Sequence, residues 1–204
     1  TEKLPTRKDA LLTMQRSVNR IVNLVNQLLD IRKIDKDQLK LSYTATDMVQ
    51  FINNQIQMFD YQAQKRNINL TFLHDMSKLP IWIDQKNFDK VLVNLIDNAF
   101  KYTPDNGEIK IVLSSKTNND VKGPLHQYAE ISVYDSGIGI DESKLSRIFD
   151  RFYQASPNAV GFGLGLNLTK MLVELHHGSI TAANRTDGTG SCFTICLPLG
   201  CEWF

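Results

Sequence analysis

The 204-residue sequence predicts an α+β fold: a two-layer α/β sandwich, its mixed sheet covered by helices on one face, preceded by one long helix. Two observations predict it. The first 36 residues carry apolar side chains at helical spacing with no glycine or proline between Thr6 and Leu41. The remainder is a mixed series of short strand-like runs and amphipathic helices, without an internal repeat or a low-complexity segment.

The opening helix spans about Thr6 to Lys36. Leu11, Met14, Val18, Ile21, Val25 and Leu28 follow alternating three- and four-residue steps, which is a heptad seam. Leu12, Val22, Leu24 and Leu29 widen that stripe, which suits a helix of a hairpin within a four-helix bundle. Gln15, Arg16, Asn19, Arg20 and Asn23 form the polar opposite face. An amphipathic helix packed on its own domain fits the same pattern. A single second helix is expected from Asp47 to about Asn67, then strands at Ile68–Leu73 and Ile81–Ile83. A long helix follows from Gln85 to Tyr102, burying Phe88, Val91, Leu92, Leu95, Ile96 and Ala99 before Pro104, Asn106 and Gly107 end it. Strands at Ile109–Ser115 and Ala129–Tyr134, a helix at Glu142–Phe149 and another ending near His176 come next. Two final strands, Ser179–Asn184 and Ser191–Leu197, flank a TDGTG turn.

Composition narrows the classes. With 42% hydrophobic and 22% charged residues, a net charge of +1 and no long charged run, bulk-charge binding of nucleic acid is not expected. No window holds the roughly 18 to 20 apolar residues of a membrane span. Cys192, Cys196 and Cys201 lack zinc-site spacing and read as free thiols suited to a reducing cytosol.

Four segments carry possible chemistry. In VLVNLIDNAFKY, Asn94 and Asn98 project from one helix face, with Lys101 three residues on. Amides among Val, Leu and Ile need a polar partner, which magnesium waters and phosphate oxygens would provide. Asp135 ends a hydrophobic strand in YDSGIGI, where a carboxylate can accept an amino group and the glycines admit a flat base. GFGLGL, from Gly161 to Leu166, feeds a helix and can cradle phosphate with free N–H groups, but lacks the G-K-[ST] of a Walker loop. FDRFYQ, Phe149 to Gln154, can anchor a flap. Taken singly, each also reads as surface asparagines, a strand-end turn, a flexible loop or core aromatics.

Their joint order is more specific. An asparagine-bearing helix, Asp-x-Gly-x-Gly, an aromatic box, Gly-x-Gly-x-Gly and a last Gly-x-Gly turn resemble the Bergerat-type ATP site of histidine kinases, type II topoisomerases, Hsp90 chaperones and MutL proteins. The resemblance covers about Asp47 to Leu199. The first helix and LLDIRKID are similar to the second helix of a histidine-kinase dimerisation domain. The resemblance implies a sensor histidine kinase of a bacterial two-component system, with a partial dimerisation domain at 1–40 and an ATP-binding catalytic domain at 41–204. It implies ATP and Mg2+ as ligands. Asn98 would bind the metal, Asn94 would support the phosphates, and Lys101 and Tyr102 would contact phosphate and nucleotide. Asp135 would read adenine in a pocket shaped by Gly137, Gly139 and Ile140. Phe149, Phe152 and Tyr153 would root the ATP lid; Gly161, Gly163, Leu164, Gly165 and Leu166 would line the phosphates; Thr189 would lie near the base. The implied partners are an upstream phosphoacceptor-histidine helix, a response-regulator receiver domain and a second copy joined through the bundle, in the cytoplasmic portion of a membrane-anchored sensor.

Two positions depart from the family pattern. ATP-hydrolysing relatives carry glutamate where Asn94 stands, and an amide accepts a proton poorly, which disfavours hydrolysis and favours transfer to another nucleophile. Many histidine kinases carry a basic residue where Gln154 stands, with Arg151 a substitute to meet the γ-phosphate. None of His74, His126, His176 and His177 sits in a His-Glu/Asp context on a heptad helix, so each reads as surface or structural. A GHKL-type ATPase or clamp, and a nucleotide-binding scaffold without kinase activity, are the rival expectations.

Overall fold

Strand alternation builds the core. On the fourth, fifth and last strands every second residue is buried: Ile109, Ile111 and Leu113, then Ala129, Ile131 and Val133, then Phe193, Ile195 and Leu197. The computed structural model describes residues 7–118, 123, 125–154 and 162–200. Its elements run α1 (Arg7–Asp35), β1 (Thr44–Asp47), α2 (Met48–Gln57), α3 (Asp60–Arg66), β2 (Asn69–His74), β3 (Pro80–Ile83) and α4 (Gln85–Tyr102). Then come β4 (Glu108–Thr117), β5 (Gln127–Asp135), α5 (Glu142–Leu145), α6 (Gly165–Leu175), β6 (Ser179–Asn184) and β7 (Ser191–Pro198).

The main sheet has the order β2-β4-β5-β7-β6, with β2 and β4 parallel and the other pairs antiparallel. It is the mixed sheet the sequence predicts. Helices α2, α4 and α6 cover its apolar face; α4 contributes Phe88, Val91, Leu92, Leu95, Ile96 and Phe100, all essentially without solvent exposure. Asp84 caps α4 by accepting from Asn87 N at 3.0 Å, and its second oxygen accepts from Ser42 N at 2.8 Å. His176 is fully buried between Tyr43 and Phe88 at the end of α6. Its Nε2 accepts from Asp84 N at 3.1 Å, which leaves Nδ1 to donate to Leu172 O at 2.7 Å. Acceptance at Nε2 requires the neutral ring, and burial lowers the histidine pKa accordingly.

Three segments differ from expectation. The single helix from Asp47 to Asn67 is two helices, because Met58 and Phe59 bond back three residues, to Gln55 and Ile56, instead of four. This tighter turn lays Phe59 flat on Phe100, with ring centroids 5.4 Å apart. The strand β1 was not expected; four residues carry too little alternation, and its partner β3 lies far along the chain. The helix expected to Phe149 ends at Leu145, and turns continue to Phe152. Cys192 and Cys196 are free thiols on β7, while Cys201 lies outside the described residues. Among the described residues no helix is long and apolar enough to cross a membrane.

The helix α1 is anchored to the rest through its C-terminal half. Ile31 is buried, Asp30 pairs with Lys90 at 2.5 Å, and Asp35 pairs with Arg151 at 2.6 Å. Leu11, Met14, Val18, Ile21, Val25 and Leu28, the expected seam, are all exposed.

Candidate functional site

A cavity of about 560 Å³ opens between α4, the β5–α5 loop, the start of α6 and α1. Helix α4 brings Asn94, Asn98, Lys101 and Tyr102 to one wall, as their three- and four-residue spacing requires. Asn94 donates from Nδ2 to Thr169 Oγ1 on α6 at 2.8 Å, whereas the Asn98 amide makes no hydrogen bond among the described residues. Lys101 Nζ donates to Tyr102 Oη at 3.0 Å and sits 4.7 Å from its ring centroid. Asp97 also lines the cavity from the same helix; desolvation raises its carboxyl pKa, against the pull of Lys101 one turn on.

Asp135 is buried at the floor, at the end of β5. One carboxylate oxygen accepts from Gly137 N at 2.8 Å and from Ser191 N at 3.3 Å; the other accepts the Ser191 hydroxyl. Asn184, at the end of β6, holds the adjoining loop by accepting from Ile140 N at 2.7 Å and donating to Ile140 O at 2.6 Å. This pair places Gly139 and Ile140 in the cavity lining.

The glycine loop closes the opposite wall. Gly163 has φ +68°, and a Cβ there would lie 2.5 Å from Tyr153 O and 2.6 Å from the Phe152 carbonyl carbon. Only glycine lets this loop lie against the aromatic segment, where Phe152 N donates to Gly163 O at 2.9 Å. Gly165 opens α6 against α4; a Cβ would come within 2.4 Å of Asn94 Oδ1. Nearby, Asn167 Nδ2 donates to Phe149 O at 2.9 Å, fixing the aromatic segment to the helix.

The structure therefore gathers Asn94, Asn98, Lys101, Tyr102, Asp135, Gly139, Ile140, Tyr153, Gly163, Gly165 and Leu166 around one cavity. Gly137 stands beside it, bonded to Asp135, and Leu164 is buried beneath the loop. Phe152 is 64% exposed and Thr189 is exposed on its turn; neither lines the cavity. Gly161 lies outside the described residues. Arg151 is engaged with Asp35 and is not part of the lining, whereas Gln154 is.

Several lining residues were not anticipated. Ser191 follows the glycine turn directly, and a hydroxyl at a strand start beside a buried carboxylate was the available signal. Arg20, Asn23, Leu24 and Gln27 come from α1, and no pattern within α1 alone shows what that face meets.

Residues 83–200 match the family model described as histidine kinase-, DNA gyrase B-, and HSP90-like ATPase. The chain belongs to this ATPase family. Among the relatives of this ATPase-family chain, sensor histidine kinase TmoS of Ectopseudomonas mendocina is 37% identical over 194 residues, 91% of this chain and 18% of that protein. Histidine kinase P4 of Formosa agariphila is 30% identical over 197 residues, 93% of this chain and 14% of that protein. The chain thus spans less than a fifth of the length of these curated relatives. A crystal structure of histidine kinase ThkA in complex with response regulator protein TrrA matches with TM-score 0.67 at 26% identity, over 92% of this chain and 52% of that one. Full-length ShkA in complex with AMPPNP matches with TM-score 0.78 over 97% of this chain and 40% of that one. At 21% identity, that last likeness concerns the fold of the ATPase-family domain alone.

Proposed function

We propose that this chain is the ATP-binding catalytic part of a sensor histidine kinase, passing the γ-phosphoryl group of ATP to a histidine on an upstream helix. Residues 1–40 would be part of a dimerisation and phosphoacceptor domain, and residues 41–204 the catalytic domain. Sensor histidine kinases among the relatives support this reading. ATP would lie with its adenine on Asp135 and its phosphates toward Asn94, Lys101 and the glycine loop.

The observation that carries the transfer reaction is the side chain at position 94. An amide stands there, held by Thr169 Oγ1, and it is a poor base for activating water. The chain's own contribution is then positioning and exclusion of water around the phosphates. The donor set also fits magnesium: the Asn98 amide lines the cavity without a hydrogen-bond partner among the described residues, and its oxygen suits a hard cation. When bound, magnesium would neutralise phosphate charge.

The exposed seam of α1 fits a bundle shared with an upstream helix and a second copy of the protein. The TrrA complex of ThkA supports a response-regulator receiver as the downstream partner. We place the whole chain in the cytoplasmic portion of a membrane-anchored bacterial sensor. A second reading is ATP hydrolysis, for which the Asp97 carboxyl in the cavity lining would be the base. The deciding experiment incubates the 204-residue chain with γ-labelled ATP and magnesium, alone and with the complete protein's histidine-bearing helix. Kinase function predicts bound nucleotide, no label on the chain, and label on the added helix. Steady phosphate release that is lost in Asp97→Asn would establish hydrolysis instead, and failure to bind any nucleotide would leave a scaffold.

A further inference from the structure

We infer that Arg20, on the polar face of α1, is a phosphate-binding residue of the nucleotide site, so that α1 completes a pocket the ATPase domain leaves open. The inference rests on the reading of the cavity as an ATP site. Arg20, Asn23, Leu24 and Gln27 recur at three- and four-residue steps and all line the cavity, so one stripe of α1 forms its outer wall. This stripe lies apart from the exposed seam residues of the same helix. The helix is held at this distance by Asp30–Lys90, Asp35–Arg151 and buried Ile31.

Arg20 lies at the phosphate end rather than the adenine end. Its guanidinium carbon is 5.6 Å from the ring centroid of Phe162, within cation–π range. Phe162 immediately precedes Gly163, in the loop that faces Asn94 across the start of α6. The adenine end, by contrast, is marked by Asp135 and Ser191 on the sheet.

The charge inventory supports the assignment. Among the described residues, the cations lining the cavity are Arg20, Lys101 and Lys144. At the root of the lid, Arg147 stacks 4.7 Å from the Tyr153 ring centroid and Arg151 pairs with Asp35; neither lines the cavity. The neighbouring Gln154 is uncharged. No described carboxylate pairs with Arg20, and Asp97, Asp135 and Asp141 add negative charge to the walls. Even with magnesium neutralising part of its charge, a triphosphate entering this cavity meets three wall carboxylates against the two charges of Lys101 and Lys144. A guanidinium offers two parallel donors that match phosphate oxygens, and the Phe162 face restricts the side chain before ligand arrives.

Calorimetry on the intact chain tests this with MgATP and with adenosine. Arg20 is exposed on a helix, so Arg20→Gln leaves the fold intact, which circular dichroism verifies. The expected result is an approximately tenfold or larger loss of MgATP affinity, the scale of one charge-assisted contact, with adenosine affinity unchanged and part of the loss recovered in Arg20→Lys. Unchanged MgATP affinity, or an equal loss for both ligands, overturns the assignment of Arg20. If the unmutated chain binds neither ligand, the nucleotide reading itself is what has failed.

Discussion

Ser191 gives both its backbone N–H and its hydroxyl to the carboxylate of Asp135, a residue 56 positions earlier on the neighbouring strand. With Gly137 N–H as a third donor, the acid is fixed in one orientation at the cavity floor. An asparagine at 135 would put an NH2 group against N–H donors, so Asp135→Asn should abolish nucleotide binding, as measured by calorimetry. Ser191→Ala keeps the charge and loses one donor, so affinity should fall about tenfold, in line with one hydrogen bond to a charged group. An Asp135→Asn chain that still binds ATP with normal affinity would remove the adenine contact from this residue.

Gly165 meets Asn94 with no room for a methyl group, since a Cβ would sit 2.4 Å from Asn94 Oδ1. Gly165→Ala must push α6 away from α4 or turn the Asn94 amide off Thr169. Overpacking of this kind costs about 1–3 kcal/mol, so the denaturation midpoint should drop. Nucleotide affinity should fall by more than the stability loss explains, because the displaced amide is part of the cavity. Thr169→Val, which removes only the amide's partner, should weaken binding while leaving the midpoint nearer normal. Full affinity in both variants would show that Asn94 needs no fixed orientation.

The sequence shows most plainly those features whose cause is local. Helix α4 has its predicted ends, because apolar spacing and a following Pro104 act within the segment itself. Four of the five motifs bring residues to the lining of one cavity for the same reason: each is a helix face, a strand end, a turn or a helix start set within its own segment, whereas the last Gly-x-Gly turn does not line it. Features whose cause lies across the fold were not visible. The break at Met58 and Phe59 brings Phe59 onto Phe100, 41 positions further along the chain. Thr189 looked placed for the base, yet Ser191, two residues on, is the one turned inward, because strand pairing with β5 decides the direction. The polar face of α1 reads as solvent-exposed until the ATPase-family domain is seen beside it.

His176 makes acid sensitivity a property of the core. Its folded-state pKa is lowered, chiefly by burial, below the 6.5 of a free histidine. The unfolded chain therefore takes up a proton first as pH falls. Stability from this residue is complete above about pH 6.5 and is lost as pH drops through and below that value, by up to roughly 1.4 kcal/mol per pH unit. Asp84, whose burial is outweighed by hydrogen bonds from Ser42 and Asn87, has a pKa lowered from 3.8, so its own loss comes only at lower pH. Urea denaturation between pH 7.5 and about 5 should show the decline. His176→Gln should be less stable at pH 7.5 but nearly flat over the same range. An equally steep decline in that variant would place the titration elsewhere.

Arg151, next to Phe152 and Tyr153 in the aromatic segment, is the alternative phosphate cation, and its geometry argues against that role. Its guanidinium donates to Asp35 at 2.6 Å and reaches toward Asn167 at 3.4 Å, on the side of α6 away from the cavity lining. The hydrogen bond from Arg151 lowers the Asp35 pKa, so the pair remains ionised through the physiological range. Both side chains are about 40% exposed, which makes the bridge weak and sensitive to salt. Arg151→Gln should leave MgATP affinity of the chain within about twofold, a change under 0.5 kcal/mol. Its thermal midpoint should shift slightly at low salt and match the unmodified chain at high salt. What the variant should change is the hold of α1 on the domain, seen as faster amide exchange near Asp35 at low salt. A tenfold loss of MgATP affinity with unaltered exchange would instead assign Arg151 to the phosphates.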